Sequence, residues 1–185
     1  DHEIFNKLEN ISGKIIDGRK NAFPGEVISD FLQENKNFFP KLEEFANQIF
    51  DKVKQNNRTR YIALCQFLKD EYGITVKDVI PKEGKPFSKI YKVKDKELLL
   101  SDYLSLETKK LFAAAQISQE GASKEIDEYL STFSFPTNES KKLTRVALLN
   151  YCGAAILMPY SLFHKECKEL KYDLELLQNT FATSF

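Results

Sequence analysis

Residues 150–160 read NYCGAAILMPY, from Asn150 to Tyr160, and close a helix-patterned segment that begins near Ser140. Gly153, Ala154 and Ala155 strip bulk from that helix, so a neighbouring element can come close, because the distance between packed helices is set by the side chains at the contact. Ile156, Leu157 and Met158 follow as an apolar end. Pro159 then stops the helix, since proline has no amide hydrogen and its ring collides with the preceding turn. The spacing predicts a buried helix with a proline stop, around which the other segments are organised.

Downstream, the pattern predicts a shorter helix over 160–170 and another over 172–180. Upstream it predicts helices over 123–132 and 105–119, with Asn138 or Ser140 placed to cap the long helix by accepting from an orphan amide. Before these the period changes to that of strands. Ile74, Val76, Asp78 and Ile80 alternate with Thr75, Lys77 and Val79, a loop follows at Pro81, Gly84 and Pro86, and residues 89–94 and 97–101 flank a hairpin turn at Asp95-Lys96. A small sheet of about three strands among helices makes the class α+β, mostly helical.

Residues 60–72 carry Tyr61, Leu64, Cys65, Leu68 and Tyr72 on one side of a helix, with Gly73 as its C-terminal cap. Asn56 to Arg58 reads as a turn. Phe39, Leu42, Phe45, Ala46, Ile49, Phe50 and Val53 mark a long amphipathic helix whose opposite, solvated face holds Lys41, Glu43, Glu44, Gln48 and Lys52. Val27, Ile28, Phe31 and Leu32 mark another, ended at residues 35–37. Ile4, Phe5, Leu8, Ile11 and Ile15 mark a first one, broken over 18–25 around Pro24. These three helices are expected to form an N-terminal layer, residues 1–58, ahead of a second unit at 59–185.

With 185 residues, 42% of them hydrophobic and 15 of them Phe, the chain can bury one sizeable core. Lys plus Arg and Asp plus Glu both number 27, giving a formal charge of zero. Basic residues scattered among acids speak against the broad basic surface of a DNA-binding module. No apolar run approaches a membrane span, and no signal-peptide pattern opens the sequence, so it reads as soluble and cytoplasmic. Cys65, Cys152 and Cys167 lack CxxC spacing and read as reduced, mostly buried thiols. The sequence contains no GxGxxG, GxxxxGK[ST] or GxSxG motif, and Cys152 has no evident histidine partner for nucleophilic work.

The wording of residues 150–160 resembles the N-x-F-A-A-x-L-L-M-P segment of ImmA/IrrE metallopeptidase-like domains, and the similarity continues through YDLELLQNTFATSF at 172–185. More closely, the two segments together resemble the middle, sensor domain of the XRE-type regulators of short-chain fatty acyl-CoA and propionate catabolism. In that family a helix-turn-helix domain precedes this region and a cysteine-bearing domain follows it. The resemblance implies an ImmA/IrrE-like fold and a regulatory role in a bacterial transcriptional regulator. It further implies DNA contact only through a domain outside this chain, dimer contacts through the N-terminal helices, and a short acyl-CoA or fatty-acid-derived ligand. Two other readings stand beside it: a dimerisation module without a ligand, and a zinc peptidase.

The resembled peptidases carry HExxH on the helix before the small-residue helix, the two His holding zinc and the Glu serving as base. By order in the fold, Ala115 and Gln119 stand where the His would lie and Gln116 where the Glu would lie. Alanine ligates nothing, and neutral amides are poor ligands and no base near neutral pH. His2 and His164 are too few to rebuild the site. The expectation is a non-enzymatic domain with no metal and no cofactor. An acyl-CoA would need an apolar and aromatic wall with a few cations at its mouth. The candidates are Phe112, Ala115, Gln116, Gln119, Tyr151 and Tyr160 for the wall, with Arg145, Lys109 and Lys110 for phosphate. Phe112, Tyr151 and Tyr160 read as plain core ahead of ligand contacts, and Gln116 and Gln119 equally as helix surface or pocket lining.

Overall fold

The computed structural model describes residues 23–54 and 60–181; the expected first helix and the expected turn at Asn56 to Arg58 lie outside them. The described chain forms α1 (Pro24–Glu34), α2 (Pro40–Lys54), α3 (Arg60–Tyr72), β1 (Thr75–Val79), β2 (Lys89–Lys92), β3 (Glu97–Ser101), α4 (Leu106–Gly121), α5 (Ser123–Ser131), α6 (Asn138–Leu157), α7 (Tyr160–Glu169) and α8 (Leu174–Phe181). This is the mostly helical α+β arrangement with a small three-stranded sheet.

Local chemistry sets the boundaries. Pro24 and Gly25, expected in the break before the second helix, instead open α1, where a proline loses nothing because first-turn amides have no helical partner. Gly73 adopts φ +70° after α3 and donates to the Lys69 carbonyl, while Ile74 donates to Leu68. That is the paired closure a C-terminal glycine permits. The cap of α6 is neither Asn138 nor Ser140 but Thr137, whose Oγ1 accepts from the Ser140 amide at 3.0 Å. The Ser140 hydroxyl returns the contact to the Thr137 amide, completing a capping box one residue earlier than the spacing suggested.

In the sheet β3 is central, parallel to β1 with Val76 opposite Leu98, and antiparallel to β2 with Tyr91 opposite Leu98. Leu98 and Leu100 point to the same face and are fully buried under the helices. Lys96, in the hairpin turn, donates from Nζ to the Tyr72 carbonyl at 3.0 Å and so ties the turn to the end of α3.

Helix α6 is the axis of the packing. Its Leu148 and Cys152 enter an aromatic core with Phe31 and Phe39, together with Ala122, Ile126 and Leu130. Its Ala155, Ile156 and Leu157 enter a second core with Ala46, Ile49, Leu64, Leu68, Leu98, Leu100 and Ile117. Helix α2 contributes Leu42 to the first core and Ala46 and Ile49 to the second. Fully burying a Leu or Ile side chain is worth about 1.5–3 kcal/mol each, and Leu148, Ile156 and Leu157 of α6 are all buried. At Pro159 the chain bends by 55° into α7.

Candidate functional site

The bend at Pro159 opens a groove of about 600 Å³, lined by Lys36, Asn37 and Phe38 from the α1–α2 connection, Glu43 of α2, Tyr151, Ala154 and Ala155 of α6, Met158, and Tyr160 and Phe163 of α7. Each wall has a local cause. Lys36 and Asn37 adopt left-handed φ values of 56° and 53°, turning the chain sharply after α1. Beyond that turn Phe39 is fully buried while its neighbour Phe38, 41% exposed, is left at the rim. The Phe38 ring meets Tyr160 edge-on at 5.6 Å, and Tyr160 stacks on His164 at 5.9 Å.

The floor is built on Glu43. The Tyr151 hydroxyl donates to Glu43 Oε1 at 2.6 Å and accepts from the Phe39 amide at 3.4 Å, and the Tyr160 amide approaches Glu43 Oε2 at 3.5 Å. The carboxylate thus joins α2 to α6 and sits at the N-terminus of α7, where the helix dipole favours negative charge. Burial, reinforced by the neighbouring Glu43 carboxylate, raises the Tyr151 phenol well above its ordinary range and keeps it a donor. Its ring packs edge-on against Phe39 at 5.0 Å, fixing the hydroxyl's aim.

Of the residues proposed from sequence for a ligand wall, Tyr151 and Tyr160 line this groove together. The others lie elsewhere. Ala115 packs against Gly153. Phe112 sits against the main core with Lys89 Nζ 5.6 Å from its ring centre. Gln116 is buried and donates to Glu120 Oε1 at 2.9 Å, and the Gln119 carbonyl accepts from the Ser123 hydroxyl at 2.5 Å. Arg145 is ion-paired with Asp127 and donates to the Ser123 hydroxyl at 3.1 Å. Lys109 bridges Asp78 and Asp102 at 3.2 and 3.1 Å, and Lys110 is buried.

Glu43 was missed because it was assigned to the solvated face of its helix; it is 8% exposed. The signal was its position one turn after Phe39 and one turn before Ala46, both on the apolar face, which puts it at that face's border.

The position that the resemblance assigns to zinc does not fit a metal. Ala115 offers no ligand atom and is closed off by Gly153, Gln116 is held by Glu120, and no group of three His, Cys, Asp or Glu side chains converges among the described residues.

The fold and site therefore define an α+β domain of metallopeptidase-like architecture that carries an aromatic groove and in which, among the described residues, no metal-ligating set converges. The chain belongs to the family of IrrE N-terminal-like domains, whose profile matches residues 69–185. It is similar to the HTH-type transcriptional regulator PrpR of Mycobacterium tuberculosis, 27% identical over 88% of this chain and 33% of the relative. It is also similar to the HTH-type transcriptional regulator RamB of the same organism, 24% identical over 89% of this chain and 34% of the relative. A solved structure of a Mycobacterium tuberculosis transcriptional regulator matches with a TM-score of 0.79 at 27% identity, covering 88% of this chain and 49% of that one. The chain spans about a third of the length of the curated relatives it matches. Its relatives are transcriptional regulators, and among the described residues no single helix is long and apolar enough to cross a membrane.

Proposed function

We propose that this chain is the ligand-sensing domain of a bacterial transcriptional regulator, that its ligand is a short-chain acyl-CoA or a fatty-acid-derived molecule, and that DNA is contacted by a different domain. The groove at the Pro159 bend carries this reading. Its volume of about 600 Å³ falls in the range of small-molecule sites, and its lining combines aromatic rings with small residues and a few polar groups. Ala154, Ala155 and Met158 suit a short acyl chain, and Lys36 at the rim suits a phosphate. Because Glu43 links the N-terminal helices to α6 and α7, an occupant of the groove acts on the contact between those layers.

Titration with acetyl-, propionyl- and longer acyl-CoAs, followed by melting temperature and calorimetry, tests the reading. A ligand held only by the folded state adds about 2.7 kcal/mol at one hundred times its Kd. For a chain of this size that is a rise of roughly 5–10 °C. Flat curves across the series would reject it. Light scattering with and without the same ligands separates this reading from a homodimerisation module, whose mass is indifferent to them.

A further inference from the structure

We infer that Glu43 is the specificity-determining acceptor of the groove, and that the ligand presents to it an N–H donor, amide or ammonium, on an apolar chain. This rests on the groove being a binding site, as proposed above.

Glutamates in the first turn of an amphipathic helix ordinarily reach water, but Glu43 is 8% exposed and lines the groove. A carboxylate can accept about four hydrogen bonds. Glu43 receives one from the Tyr151 hydroxyl at 2.6 Å and a second, at 3.5 Å, from the Tyr160 amide. Among the described residues no lysine, arginine or histidine forms an ion pair with it, and Lys36 lines the same groove without reaching it. The α7 dipole and one phenol hold the charge, and they leave acceptor capacity that faces the groove. A ligand carboxylate would set like charges together in a partly dry space, and an alkyl group would bury those lone pairs unmet. An N–H donor does neither, and the Phe38 and Tyr160 rings at the rim tolerate a cationic one on their faces. Pantetheine-type amides and alkylammonium ions share this chemistry, whereas free fatty acids lack it.

The test compares three probes on the whole chain, by calorimetry for the tighter ones and ligand-observed NMR for the weak ones: S-propionylpantetheine for the amide, n-butylammonium for the ammonium, and butyrate for the opposite charge. The wild type is expected to prefer at least one N–H probe over butyrate by about tenfold or more, and Glu43→Gln to lose that preference while keeping the Tyr151 contact. Ala154→Leu, a substitution at an exposed groove position, is expected to abolish binding of every probe. Should Glu43→Gln fail to fold, the wild type's preference for the better N–H probe over butyrate decides alone, and equal binding of all three probes overturns the inference. Propionyl-CoA binding undiminished in Glu43→Gln overturns the inference and leaves the sensor reading intact. Glu43-dependent binding of butylammonium without any acyl-CoA binding keeps the inference and discards the acyl-CoA reading. No binding by any probe overturns both.

Discussion

Gly153 of α6 lies so close to α4 that a Cβ placed on it would stand 2.8 Å from the Ala115 backbone nitrogen and 3.1 Å from its Cα. The obstacle is main chain, which has no rotamer to give. Ala115, the residue that the resemblance sets where a zinc-binding histidine would lie, is therefore on the floor of a helix crossing, and one glycine methylene fits there.

Gly153→Ala is accordingly expected to destabilise the fold even though alanine is the better helix former. The helix gain is about 1 kcal/mol, and overpacking against fixed backbone costs about 1–3 kcal/mol or more. A net loss of roughly 1–2 kcal/mol lowers the melting temperature by about 2–8 °C. Gly25→Ala in α1 is the control, since nothing lies within 4 Å of its added methyl. Urea melts of the two variants should move in opposite directions or leave Gly25→Ala unchanged.

Arg60 fastens two helix ends. Its Nη1 donates to the Leu157 carbonyl at the end of α6, at 2.7 Å, and approaches the Phe181 carbonyl at the end of α8, at 3.5 Å, while its guanidinium lies 5.2 Å from the Phe50 ring centre. Charged hydrogen bonds contribute about 1.5–3 kcal/mol. Arg60→Ala should cost about that much and release α8 first, seen as faster amide exchange over residues 174–181 than in α6. Equal protection in Arg60→Ala and the wild type would mean that α8 is held by the apolar cluster around Cys167, Leu177 and Phe181.

Most of the fold is legible because its elements carry single, uninterrupted periods. The alternation at 74–80, the hairpin about Asp95-Lys96 and the small-residue run in α6 each force one solution. The site was less legible because its parts come from segments far apart in the chain, and because the residues that decide it sit at borders. Glu43 shares a helix with obviously solvated acids, and only the bend at Pro159 brings Tyr160 over it. Conversely, Gln116 and Arg145 have the chemistry of a pocket, but nearer partners hold their side chains: Glu120 and Asp127. No one-dimensional spacing reveals that competition.

Two thiols should be inert at neutral pH and costly at alkaline pH. Burial pushes Cys65 and Cys152 up to about 11 from an ordinary 9.0. At pH 8 about one such thiol in a thousand is ionised, against roughly one in ten of free ones, so labelling by iodoacetamide should wait for unfolding. The folded values lie above the unfolded ones, so the unfolded chain gives up its protons first. Stability contributed by the neutral thiols is complete below pH 9 and is lost as pH climbs toward 11. Raised phenols at Tyr61 and Tyr151 add to the same loss. Melting temperature measured from pH 7 to 11 should be flat at first and then fall, with Cys152→Ser shifting the onset.

Lys109 separates structural from ligand-directed cations. Its ammonium is buried between Asp78 and Asp102, and Asp78 also accepts from the Tyr61 hydroxyl at 2.8 Å, so the charge knits α3, β1 and the β3–α4 connection together. Replacing it by methionine keeps the stem but leaves two carboxylates facing each other. Both reach solvent, with side chains 37% and 53% exposed, which limits the cost to about 1–3 kcal/mol. Because Lys109 does not line the groove, Lys109→Met should lower the melting temperature and leave the acyl-CoA Kd within about twofold. Lys36→Met should do the reverse, weakening phosphate-bearing ligands several-fold in low salt with little change in melting. A Lys109→Met variant that folds and loses acyl-CoA affinity would move the phosphate site from the groove to the α4 end of the sheet.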